Sequence, residues 1–269
     1  MRAIGRKKGI TMDKTIVFKC GGSVIRELSD EFFQNLKELT ESGWKIALVH
    51  GGGPDITKML KKLNIRSEFV NGQRKTTKAV LEVAEMVLSG SINKFFVAEL
   101  TKHGLPAVGV SGKDGGLLLA DYLNEKEYGQ VGRIKKVNGR MAEALMEKGF
   151  IPVIAPLSMT DGCETLNVNA DLAASAVAAA LHADKLMFVT DVKGIMKNEE
   201  MLKELTPADI ESLIAEGVIS GGMIPKVHSA KEALTDEVDE VMIVSGKGSF
   251  LTKDDFIGTK IIKQKEAVS

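Results

Sequence analysis

Apolar positions along the chain follow two recurring patterns: short unbroken runs, and longer stretches where they return every three or four residues. The runs "TIVFKC" (15–20), "KIALVH" (45–50), "PAVGVSG" (106–112), "FIPVIAPL" (150–157) and "KLMFVTD" (185–191) predict buried strands, and "EVMIVSGKG" and "TKIIK" close the sheet. Helical spacing marks "DEFFQNLKELTESG", which stops at Gly43, then "DITKMLKKLN", "MAEALMEKG" and "MIPKVHSAKEALTD". "NADLAASAVAAALHA" is a helix with Asn169 placed to cap it. "TPADIESLIAEG" begins with a Thr cap and Pro at the first helical position, and stops at Gly217. A long helical stretch covers 77–103. The Asn-Gly pair in "FVNGQRKTT" signals a hairpin or loop, and "LLLADYLNEKEYGQVGRIKKVN" alternates around a polar middle as a β-hairpin does.

Strand–helix units repeated in this way imply an α/β fold with a mostly parallel sheet covered on both faces. Ligands bind such sheets beyond the carboxyl ends of the strands. Glycine clusters sit at those ends: "CGGS" after 15–20, "HGGGP" after 45–50 and "SGKDGG" after 106–112. A boundary is expected near residue 183, where one helix ends and a fresh strand begins.

Composition narrows the possibilities. The chain has 269 residues, enough for one large α/β domain or two lobes sharing a sheet. Lys+Arg and Asp+Glu both number 36, so no global charge draws nucleic acid or an anionic membrane, and any anion must be held locally. No apolar run approaches the ~20 residues that span a bilayer. The start, "MRAIGRKKGITM", is basic but has no apolar core, so it does not read as a secretory signal; residues 1–12 read as a disordered extension. Cys20 and Cys163 form no CxxC and have no metal-ligand spacing with the four histidines, which fits two thiols in a reducing cytoplasm.

Gly-rich turns can aim several backbone N–H groups at one anion, and a following helix N-terminus adds positive potential. Lys19, at the end of a strand and beside Gly21 and Gly22, can add a point charge. Taken alone, Lys19 also reads as a solvated side chain, Arg74 as a loop arginine, Asp171 as compensation of a helix dipole and Lys226 as one helical lysine among many. His50 reads as a structural hydrogen-bonding residue. Neither GxxxxGK[ST], nor the HRD set of protein kinases, nor GxGxxG after the first strand is present.

The segments "FKCGGS", "VHGGGP", "NGQRKT", "TLNVNAD", "FVTDVKGI" and "GGMIPKV" occur in that order. Together they resemble the amino acid kinase family, and within it the branch that phosphorylates N-acetyl-L-glutamate in arginine biosynthesis. The resemblance covers nearly the whole chain from Asp13. It implies a three-layer αβα sandwich, with an N-terminal lobe over 13–183 that binds the acetylamino acid and forms a dimer, and a C-terminal lobe over 184–269 that binds ATP. It implies that Lys19 and Lys226 stabilise the transferring phosphoryl group, with Asp171 between them holding both ammoniums. Gly22 is matched to phosphate binding. Gly52, Gly53, Arg74 and Asn167 are matched to substrate binding. Thr190, Asp191, Val192, Lys193, Gly194 and Ile195, with Val218, Ile219 and Ser220, are matched to nucleotide binding. Mg²⁺ is expected on the ATP phosphates, without a protein metal site.

The chemistry agrees with that resemblance. A free glutamate side chain, with a pKa near ~4.3, is already ionised, so its phosphorylation needs charge neutralisation and positioning rather than a base. Carbamate kinase, aspartokinase and glutamate 5-kinase are the rivals within the family. A non-catalytic nucleotide or amino-acid sensor on the same fold is the rival outside it; loss of charge at 19, 171 or 226 would mark the sensor, and all three charges are present. The 77–103 helix is apolar around most of its circumference through Val80, Leu81, Val83, Ala84, Met86, Val87 and Leu88. It is expected either to be buried within its lobe or to form a homodimer seam.

Overall fold

The computed structural model describes residues 14–235, 238, 240–253 and 255–263; the expected extension over 1–12 lies outside them. The main sheet comprises β1 (Thr15–Cys20), β2 (Lys45–His50), β3 (Ala107–Ser111), β4 (Ile151–Ala155), β5 (Lys185–Thr190), β6 (Glu204–Leu205), β7 (Glu240–Ser245) and β8 (Thr259–Ile262). Their order is β6-β8-β7-β5-β1-β2-β4-β3. Every neighbouring pair is parallel except β7 with β8.

Period-two side chains split each central strand between two cores. Ile16, Phe18 and Cys20 of β1 and Ile46 and Leu48 of β2 face α1 (Asp30–Glu41), α2 (Gly53–Lys62), α3 (Lys78–Glu85) and α4 (Asn93–Lys102). Val17, Ala47 and Val49 face α5 (Arg140–Glu147), α6 (Ala170–Ala180), α7 (Pro207–Ala215) and α8 (Met223–Glu232). The result is the expected three-layer αβα sandwich. Among the described residues, no helix is long and apolar enough to cross a membrane.

Local chemistry accounts for several element ends. Asn169 accepts from the N–H groups of Asp171 and Leu172 at the start of α6, and Thr206 and Asp209 form a reciprocal capping box on α7. Asn71 and Gly72, with φ of 48° and 76°, turn the hairpin between Glu68–Val70 and Gln73–Lys75, the geometry an Asn-Gly pair favours.

The structure corrects two expectations. "FIPVIAPL" is not one strand: β4 stops at Ala155, and after Pro156 the segment Leu157–Met159 joins a second sheet with Thr165–Asn167, Leu118–Tyr122 and Gly132–Val137. Proline has no N–H to continue the ladder. The long helix is interrupted by a π-helix over Met86–Ile92. Within it and α3, Val80, Val83, Ala84, Val87 and Leu88 are buried in their own chain, while Met86 is 60% exposed, so packing inside the protomer accounts for most of the apolar girdle.

Candidate active site

β1 and β2 run side by side with Cys20 opposite His50, so their glycine loops leave the sheet together. A Cβ on Gly22 would lie 2.7 Å from Gly52 N and 2.8 Å from Gly52 Cα; only glycine permits this approach. Gly51 N donates to Cys20 O at 2.9 Å. Gly52 caps α2, whose N-terminus therefore opens towards the same space. Leu88 and Ile92, both on the π-helix, press on Gly52, where a Cβ would meet them at 2.6 and 2.5 Å.

Lys19 points to the α6 face of β1. Its Nζ lies 2.6 Å from Asp171 Oδ1, with the two side chains 17% and 19% exposed. That oxygen is buried and accepts no well-directed hydrogen bond; the lysine reaches it as an ion pair whose angle falls outside hydrogen-bond geometry. Nζ also stands 5.5 Å from the centroid of the Phe188 ring.

The resemblance implies that Asp171 holds both ammoniums; in this structure it pairs with Lys19 and not with Lys226. Lys226 forms its ion pair with Asp191, directly beyond β5. Asp171 Oδ1 is buried against Lys19, whereas the Asp191 side chain is 51% exposed and pairs at a smaller desolvation cost. The contact with Lys226 holds the Asp191 carboxyl below the usual carboxylate range, against a smaller opposing effect of burial.

A cleft of about 240 Å³ brings together Lys19, Gly22, Gly52, Gly53, Arg74, Asn167 and Asp171. A smaller adjoining cavity of about 140 Å³ is lined by Lys19 and Asp171 again, now with Thr190 and Lys226. A third, of about 410 Å³, brings Val192, Lys193, Gly194 and Ile195 to Val218, Ile219 and Ser220, with Met196 and Met223 completing an apolar wall. Asp191 stands apart from that wall, on Lys226.

Arg74 is 8% exposed. Its guanidinium donates to Ser67 Oγ, to Thr57 Oγ1 at 2.7 Å and to Gly53 O at 3.1 Å, and lies 4.6 Å from the Phe69 ring centroid. Asn167 donates to Thr76 Oγ1 at 3.2 Å, and Thr76 Oγ1 in turn donates to Arg74 O at 2.8 Å. Nothing in the sequence pattern marks the supports around Arg74: Ser67 and Thr76 flank the hairpin strands as solvated side chains would, Phe69 lies within a strand and Thr57 within α2. Lys113 of "SGKDGG" pairs with Glu85 at 2.6 Å, away from the cleft. Burial pushes the Cys20 thiol up to about 12, so it packs as an inert group. Among the described residues, no group of three or more His, Cys, Asp or Glu could hold a metal ion.

Such a cleft offers ammonium groups and backbone N–H groups to an anion at the carboxyl edge of a parallel sheet. Its chemistry is that of a kinase, moving a phosphoryl group by charge and position. The model of the amino acid kinase family matches residues 14–245, and the chain belongs to that family. It is 97% identical, over 258 residues, to an acetylglutamate kinase of Bacillus licheniformis, covering 96% of this chain and 100% of that one. It is 73% identical, over 258 residues and with the same coverage, to the acetylglutamate kinase of Bacillus subtilis. Among solved structures, smu.665 from Streptococcus mutans superposes with a TM-score of 0.80 at 33% identity, covering 93% of this chain and 99% of that one.

Proposed function

We infer that the chain catalyses ATP-dependent phosphorylation of the side-chain carboxylate of N-acetyl-L-glutamate, yielding N-acetyl-L-glutamyl 5-phosphate and ADP, in arginine biosynthesis. One observation carries the placement of the chemistry. Lys19 and Asp171 line both the cleft that contains Arg74 and Asn167 and the adjoining cavity that contains Thr190 and Lys226. A group transferred between two bound molecules must cross that junction.

The acceptor carboxylate attacks the γ-phosphorus, the P–O bond to ADP breaks, and ADP leaves with the bond electrons. No proton moves, because the acceptor is ionised at neutral pH. The barrier lies in bringing two anions together. Lys19 and Lys226 neutralise the phosphoryl oxygens, and the N–H groups of Gly22, Gly52 and Gly53 hydrogen-bond them. Asp171 orients Lys19. When the nucleotide phosphates arrive, Lys226 exchanges Asp191 for them, two anions competing for one ammonium. Arg74 clamps a substrate carboxylate and Asn167 binds the acetylamino end. The apolar wall at 192–196 and 218–223 holds the adenine nucleotide.

Mg²⁺ enters as part of the nucleotide substrate. Lys19 and Arg74 outnumber Asp171 among the charged groups of the cleft, which suits a phosphate chain better than a bare cation, so the ion would be held by the nucleotide and water and would supply further charge neutralisation. Residues 13–183 form the acetylamino-acid lobe and 184–269 the ATP lobe. The enzyme is cytoplasmic and a homodimer, with Met86 at the surface of the π-segment contributing to the seam. Light scattering should give twice the 29.0 kDa chain mass; a monomer at micromolar concentration removes the dimer.

The decisive test of the activity is ADP release with N-acetylglutamate, glutamate, aspartate and carbamate as separate acceptors. Turnover is expected with the acetylated acid. Turnover with carbamate or aspartate and none with N-acetylglutamate overturns the substrate.

A further inference from the structure

His50 ends β2 and lies wholly buried directly before the glycines, yet no step of the transfer uses it. Its Nδ1 is 3.0 Å from Gly51 O. A carbonyl only accepts, so Nδ1 carries the proton. In a neutral ring Nε2 then accepts, and it faces a donor, Asn93 Nδ2, at 3.2 Å. Burial holds the imidazole down to about 4, so the ring stays neutral where the enzyme works.

Asn93 is also wholly buried and is the first residue after the π-helix. Its Nδ2 lies 2.8 Å from Val153 O and 3.2 Å from Val110 O as well as 3.2 Å from His50 Nε2; with two hydrogens for three acceptors one is shared, and the group ties β4 and β3 to the end of β2. Lys94 Nζ approaches Asn93 Oδ1 at 3.2 Å and donates to Gly109 O at 2.9 Å. The room for this is made by Gly109, where a Cβ would fall 1.9 Å from Asn93 Oδ1. The amide thus has one orientation available.

A trans peptide points its C=O and N–H in opposite directions. Gly51 O and Gly52 N–H belong to the same peptide. Holding Gly51 O on the imidazole therefore turns Gly52 N–H the other way. That is the side of Gly22, whose ideal Cβ would sit 2.7 Å from Gly52 N. Leu88 and Ile92 of the same π-segment close over Gly52, so one irregular turn of helix supplies both the apolar cover and, through Asn93, the polar anchor.

We propose that His50 and Asn93 are a buried positioning pair that aims the Gly52 amide at the transferring phosphoryl group, and that His50 takes no part in proton transfer. This rests on phosphoryl transfer at the glycine loops, and wild-type ADP release, measured alongside, reports on that reading separately.

Two variants divide the ring into its two contacts. His50→Asn keeps a donor at the Nδ1 position; His50→Gln keeps only the Nε2 position. His50→Asn should retain kcat within about 3-fold, while His50→Gln should lose about 10- to 100-fold, less than the ~10²–10³-fold of deleting a donor outright. Both KM values should stay near wild type, since the amide is misaimed rather than the ligands lost. Equal losses in the two variants, or a loss carried by KM, overturn the proposal. The wild-type protein gives a check independent of variant folding. Nitrogen-15 NMR, with His50 assigned by its absence from the His50→Asn spectrum, should show that ring protonated at Nδ1 and unchanged between pH 6 and 8. A His50 ring protonated at Nε2, or one that titrates in that range, overturns it equally.

Discussion

Gly22→Ala perturbs the closest backbone contact in the site. The new Cβ would meet Gly52 N at 2.7 Å, Gly52 Cα at 2.8 Å and Gly51 C at 3.2 Å. All three are backbone atoms, so no side chain can swing aside. Ordinary contact begins near 3.4 Å, so the two loops must part by about 0.7 Å, close to the ~1 Å misplacement that costs ~10²-fold in an aligned transfer. We expect kcat to fall roughly 30- to 100-fold, with a stability loss of about 1–3 kcal/mol from overpacking. The assay is steady-state ADP release with N-acetylglutamate and ATP, with thermal melting in parallel. Its neighbour serves as a control. A Cβ on Gly21 comes no nearer than 3.8 Å to its surroundings. Gly21→Ala keeps every backbone N–H and should turn over near the wild-type rate. A Gly22→Ala enzyme with wild-type kcat and melting temperature, or equal losses in the two variants, would refute the argument that the touching loops set the geometry.

Lys19→Ala should raise the barrier by about 2–4 kcal/mol, read as kcat, if its ammonium acts like one oxyanion donor; a near wild-type rate removes that role. Arg74→Lys cannot reproduce the fork shared among Ser67, Thr57 and Gly53 O, so KM for N-acetylglutamate should rise about tenfold with KM for ATP unchanged. A parallel rise in both KM values would count against substrate clamping. His50 also makes stability depend on pH, because its folded-state value of about 4 lies below the ordinary 6.5. Between those values the unfolded chain binds a proton that the folded chain refuses, so this stability is present above pH 6.5 and lost as pH falls towards 4, by up to ~3 kcal/mol. Urea unfolding of wild type and His50→Asn across that range should show a shallower acid decline in the variant; identical slopes would place the ring elsewhere than in a dry core.

Much of the framework was legible because its causes are local. β1, β2 and β5 are continuous apolar runs, and α6 and α7 announce themselves by Asn169 and Thr206. The two glycine loops could be placed at one edge from strand–helix alternation alone. The π-helix could not be read. It inserts extra residue per turn into an otherwise regular period, and a pattern read over some 25 residues averages that shift away. Pro156 was visible, but whether it bends a strand or ends it depends on a second sheet waiting to receive Leu157–Met159.

The sequence by itself determined which groups could carry the chemistry: two lysines, a helix-start carboxylate, an arginine beside an Asn-Gly turn, and glycines where strands end. Those properties belong to residue types and near neighbours. Only the tertiary structure decided how they pair. Lys19 meets Asp171 because β1 lies beneath the N-terminus of α6, and Lys226 meets Asp191 because β5 delivers a more exposed carboxylate to α8. His50 becomes a neutral support because Asn93, 43 residues away, donates to it in the dark of the core. Ion pairs and buried hydrogen bonds are chosen by distance, angle and desolvation, and strand order sets all three.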